Sequence, residues 1–216
     1  MGFGIFLFGY LFLTDVEVVV NMEHQIGFDV LPDVVGFILM FRALTLLQAS
    51  FSAFSAPKRI IYPLFATSTT VLLCQGISFF KIAPELFSNV LEVVIPLQNA
   101  ILILFHVLLF KAAKQLAKEI DLPELAKILN RCLLLSAIFY SVHLILIFAL
   151  PYSQQLGSAT PFFNFTYYVS LLFQYFVLFY NIIALYKCYM FIGYEGEETP
   201  TNVKHPLQAL VDKLKK

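Results

Sequence analysis

Long apolar runs separated by short polar breaks make up most of the chain, and the run from Val34 to Phe54 holds a single charge, Arg42. A helix that crosses a bilayer needs about 20 largely apolar residues. On that measure the pattern predicts six spans: Phe3 to Val20, Asp33 to Phe54, Ile60 to Phe80, Leu91 to Phe110, Cys132 to Leu150 and Phe162 to Tyr186. Breakers stand between them, namely Asp29 with Pro32, Pro57, Pro84, Asp121-Leu122-Pro123-Glu124, and Pro151 with Pro161. The first span differs from the others. Its clean apolar run ends at Leu13, so crossing the bilayer requires taking in Asp15 and Glu17.

Composition turns this pattern into a class. The residues are 60% hydrophobic and 13% charged, with a mean hydropathy of +0.82. Soluble domains are about a quarter charged, so most of this surface is expected to face lipid. The expected fold is an all-α integral membrane protein, one bundle of six transmembrane helices over residues 1–192. Net charge is zero, yet twelve of the fourteen lysines and arginines fall on one side of the six-span arrangement. The positive-inside rule then places both termini in the cytoplasm. Cys74, Cys132 and Cys188 show no metal-binding or redox spacing.

Two cytoplasmic features follow. The fourth span continues as helix beyond Lys111, and Asp121 with Glu124 reads as a capping box that restarts the chain, giving a helical hairpin over 111–131. This hairpin is a candidate surface for a protein partner or a second copy. In the segment 193–216, Leu207, Leu210, Val211 and Leu214 lie on one helical face, with Lys213, Lys215 and Lys216 opposite. That segment is either a linker and short amphipathic basic helix on anionic lipid, or a frayed basic tail.

Counting helical rise from the cytoplasmic ends puts polar residues of every span at similar depths, between roughly 14 and 20 Å. They are Asp15, Arg42, Thr69, Gln98, Asn99, His143 and Gln174. Lipid-facing polar groups are excluded at such depth, so these side chains are expected to turn inward and meet. Asp15 is the acid nearest Arg42 in depth, and a carboxylate matches the guanidinium fork. The layer is then either an ion pair and hydrogen-bond network that sets helix register, or a solute and proton site. His143 is a proton relay in the second reading and a neutral packing imidazole in the first. His106 lies too far toward the cytoplasm to share a metal or haem with it.

No metalloprotease, nucleophile-elbow, phosphate-loop or paired-carboxylate motif occurs, so no enzyme, cofactor or nucleic-acid role is expected. The two function classes left are a small-solute or proton-coupled transporter using the polar layer, and a non-catalytic partner, sensor or assembly protein in which that layer is structural. The stretch Gly27-Phe28-Asp29-Val30-Leu31-Pro32-Asp33-Val34-Val35-Gly36-Phe37, following a glycine-rich first span, resembles a group of small bacterial polytopic membrane proteins of unknown function. The resemblance extends over roughly the first 50 residues. It implies a bacterial cytoplasmic membrane and carries no activity or site residue with it.

Overall fold

Backbone polar groups shut away among apolar side chains must satisfy one another, and a helix achieves this within a single segment. The computed structural model describes residues 2–13, 17–21, 26–29, 32–79, 84–155 and 160–192. Helices dominate it: α1 (Gly2–Leu11), α2 (Asp33–Ser50), α3 (Ser55–Phe79), α4 (Pro84–Glu119), α5 (Pro123–Gln155) and α6 (Thr160–Ile192). A 3-10 turn, Ser52–Phe54, joins α2 to α3. Helices α2 to α6 are each long and apolar enough to cross a membrane. The basic tail, 193–216, lies outside the described residues, as does Asp15.

The expected first span requires correction. Helix α1 stops at Leu11, and two short-range bonds, Phe12 N–H to Gly9 O and Leu13 N–H to Tyr10 O, tighten its end. The strands β1 (Glu17–Asn21) and β2 (Ile26–Asp29) follow as an antiparallel hairpin, pairing Val18 with Phe28 and Val19 with Gly27, with a bulge between Val19 and Asn21. A run of three β-branched valines favours strand over helix. At ten residues, α1 is about 15 Å long, half of a hydrocarbon core.

Each helix packs on the next and α6 returns to α1, which closes a ring. Helix α1 is the member of this ring that stands between α2 and α6 at the basic end, where its Phe3, Phe6 and Tyr10 are buried and its Phe8 is exposed. Its tight crossing with α2 depends on two glycines. A Cβ on Gly36 would stand 2.7 Å from Gly9 O, and one on Gly9 would stand 2.9 Å from Gly36 O. The outward surface is apolar along its length, with Leu172 72% exposed and Phe165 69% exposed on α6. Such a surface belongs against lipid rather than water.

The α4–α5 hairpin holds together as predicted, but its turn works differently. Asp121 adopts φ 58°, and Leu122 N–H reaches Ala117 O (2.8 Å) while Asp121 N–H reaches Lys118 O (3.2 Å). This is the Schellman arrangement, so Asp121 closes α4 in the left-handed conformation. Glu124 instead pairs with Lys127 at 2.7 Å on the exposed surface, a contact of small energetic weight.

Two stability predictions follow from these backbone constraints. Gly36→Ala forces a methyl into a backbone carbonyl and lowers stability by about 1–3 kcal/mol, read as a lower unfolding temperature in detergent. At position 121, Asp121→Gly leaves stability unchanged or raises it, whereas Asp121→Val lowers it by about 1–2 kcal/mol. Equal stability of the two variants would contradict the left-handed assignment.

Candidate functional site

Beyond the end of α1, a cavity of about 880 Å³ opens between the helices, with Leu13 among its lining residues. Four helices turn a regular face to it. Ser68, Val71, Leu72 and Gln75 come from α3; Ile95, Gln98, Asn99 and Leu102 from α4; Tyr140, His143 and Ile147 from α5; and Tyr167, Leu171, Gln174 and Tyr175 from α6. Spacings of three, four and seven residues put each set on one side of its helix. Asp33, the first residue of α2, lines it as well. Among the described lining residues it is the one carboxylate, and none of them is a lysine or arginine.

The polar groups are individually anchored. Gln98 Nε2 donates to Asp33 Oδ2 (3.1 Å) and to Ser68 Oγ (2.9 Å), tying α2, α3 and α4 at one level. Asn99 Nδ2 donates to Ile95 O at 3.0 Å, which turns its carbonyl oxygen away from its own helix backbone. The Ser170 hydroxyl donates to Tyr167 O (2.7 Å), so at 3.0 Å it can only accept from His143 Nδ1. A neutral His143 therefore carries its proton on Nδ1 and keeps Nε2 as an acceptor. Tyr167 and Phe139 stack on the two sides of the ring, at centroid distances of 5.7 and 6.2 Å, and fix its plane.

Of the expected polar layer, Gln98, Asn99, His143 and Gln174 meet in this cavity. Thr69 does not line it. Its hydroxyl bonds Phe65 O at 2.7 Å, and the neighbouring Ser68 takes the inward position. Arg42 is also a correction: its side chain is exposed on the outer side of α2, away from the cavity. Similar depth was no guide to facing, because α2 is apolar on nearly all sides.

A second polar cluster, absent from the expected layer, lies below the cavity in the packed half of the ring. His106 Nδ1 donates to Leu102 O (2.8 Å), which leaves Nε2 to accept from the Tyr10 hydroxyl at 2.6 Å. The Tyr10 oxygen accepts from Asn181 Nδ2 (2.9 Å), which also donates to Ser136 Oγ at 2.9 Å. All four residues are fully buried. The signal for Ser136 and Asn181 was present in the sequence, as lone polar residues in apolar helices, but Asn181 is surrounded by aromatic residues that drew the eye.

Tyr10→Phe removes one hydroxyl and leaves both His106 Nε2 and an Asn181 N–H without this partner. It lowers stability by about 1–2 kcal/mol in thermal unfolding, and a variant as stable as the wild type would show that the cluster is not needed. Comparison with known proteins adds no constraint to this reading, since no family model, no curated protein and no solved structure matches the chain.

Proposed function

We propose that the chain is a small membrane transporter or solute-binding protein whose site is the cavity bounded by Gln98, Asn99, His143 and Gln174. The observation that carries the reading is the convergence of these side chains from three helices on one space of about 880 Å³, with Asp33 and Ser68 completing it from two more. A cavity of this size with amide, imidazole and phenol edges is suited to a ligand. With a carboxylate and three tyrosines among the described lining residues, the favoured solutes are small, polar, and neutral or cationic. His143 Nε2 serves as an acceptor for the solute or for a coupled proton.

A cytoplasmic-membrane setting with both termini inside is part of this proposal. It is supported by the basic residues and by geometry: Gly2 packs on Leu47 and Gly4 on Tyr189, so α1 begins at the end of the bundle where α6 finishes. The second reading, a non-catalytic partner, sensor or assembly protein, draws on the α4–α5 hairpin, whose Lys111, Lys118 and Lys127 are exposed. Under that reading the hairpin is the working surface and the cavity has no role.

Uptake into proteoliposomes separates the two. With a panel of amines, neutral polyols and carboxylates, uptake is expected for a member of the first two classes. Asn99→Leu combined with Gln174→Leu lowers it about tenfold or more, a loss of roughly 1.4 kcal/mol in binding. Thr69→Val, at similar depth but outside the cavity, leaves it unchanged. His143→Leu removes the acceptor offered by Nε2 and lowers uptake as well. Absence of binding across the panel, with the fold intact by circular dichroism, favours the second reading.

A further inference from the structure

Arg42 is exposed on the outer side of α2, and no hydrogen bond or ion pair joins it to another of the described residues. An arginine on a membrane-facing surface needs either an anion or a path for its head to the interface. The structure offers a path. Phe41 packs its ring on Tyr62 at 5.3 Å, and Lys58 Nζ lies 5.1 Å from the centre of the Phe41 ring. Tyr62 follows Arg59 by three residues, about 4.5 Å of helical rise. Arg42 is therefore within about a turn of the two cations that open α3, and its long side chain can extend toward the same membrane face.

The neighbourhood is one-signed. From Val34 to Phe79, through α2, the turn and α3, the chain contains Arg42, Lys58 and Arg59 but no aspartate or glutamate. Away from the interface, toward the membrane interior, α2 and α3 expose Ile38 and Phe65. Cations at the rim with apolar side chains above them match an anion that carries a hydrocarbon body.

We propose that Arg42, Lys58 and Arg59 form a binding site for the phosphate headgroup of an anionic phospholipid, whose acyl chains lie along Ile38 and Phe65. The site is separate from the cavity, and it stands whether or not the chain transports a solute. Arg42 places a guanidinium one layer deeper than Lys58 and Arg59, so the phosphate is held from two depths. This distinguishes the site from a diffuse basic rim.

Native mass spectrometry of the full chain in neutral detergent tests this, with phosphatidylglycerol and phosphatidylcholine titrated separately. Wild type is expected to retain phosphatidylglycerol in clear preference, and Arg42→Gln alone to weaken that retention roughly fivefold, the contribution of one basic residue near an anionic surface. Arg42→Gln with Lys58→Gln and Arg59→Gln removes the preference. Lys118→Gln with Lys127→Gln, on the hairpin, leaves it intact. Should the triple variant lose its helical circular dichroism signal, Arg42→Gln decides alone. Equal retention of the two lipids by wild type overturns the proposal, and so does undiminished phosphatidylglycerol binding by Arg42→Gln. Displacement of the lipid by millimolar inorganic phosphate would assign the site to a free anion. Retention of a co-purified acidic membrane protein in place of lipid would assign it to a protein partner.

Discussion

The hydroxyl of Tyr10 is the point on which the bundle depends. It donates to His106 on α4 and accepts from Asn181 on α6, and Asn181 continues to Ser136 on α5. Four helices are thereby joined through one short side-chain chain in an interior where water does not compete. Apolar contacts between helices discriminate weakly in lipid, because a lipid tail is as good a neighbour as leucine. Directional hydrogen bonds, together with the Gly9–Gly36 close approach, therefore have to set where α1 sits. The aromatic layer around them, with Phe6 near Phe105 and His106 stacked on Tyr140 at 4.8 Å, fills the space that the bonds define.

From that placement the cavity follows. A helix of full membrane length at the position of α1 would continue between α2 and α6 past the level of Leu13. This one ends after ten residues, and the inward faces of α3 to α6 have nothing apolar to cover beyond Leu13. Those faces change character at the same level. Phe105, Leu109 and Phe110 on α4 are buried around α1, whereas Gln98 and Asn99 on the same helix line the open space. The solid half and the hollow half of the bundle are thus written on each helix as a switch from apolar to polar inward residues.

Much of this was legible in the chain. Helices α2 to α6 were visible as apolar runs, since the need to satisfy backbone groups in lipid leaves few alternatives. Helical rise was enough to bring Gln98, Asn99, His143 and Gln174 to one level. Facing was harder to read, because helices that are apolar on most sides carry little periodic signal. Arg42 and Gln98 sit in similar company along the sequence, yet one points outward and the other inward. Thr69 failed for a related reason: a hydroxyl can satisfy itself on the preceding turn, as it does on Phe65 O, and then needs no inward position. The break after Leu13 was legible, but the valines that form β1 are as hydrophobic as the helix before them and made a continued span the expectation.

The separation in sequence between Tyr10 and its partners also sets an order of events. Asn181 lies 171 residues downstream. At about 5–20 residues per second, roughly 10–30 s pass between synthesis of the two. Helix α2, with Gly36, is available to α1 early, His106 follows with α4, and Asn181 comes only with α6. The seat of Tyr10 is therefore completed in stages, and closing the ring is the last of them, so a chain truncated before α6 would leave one side of α1 without its neighbour.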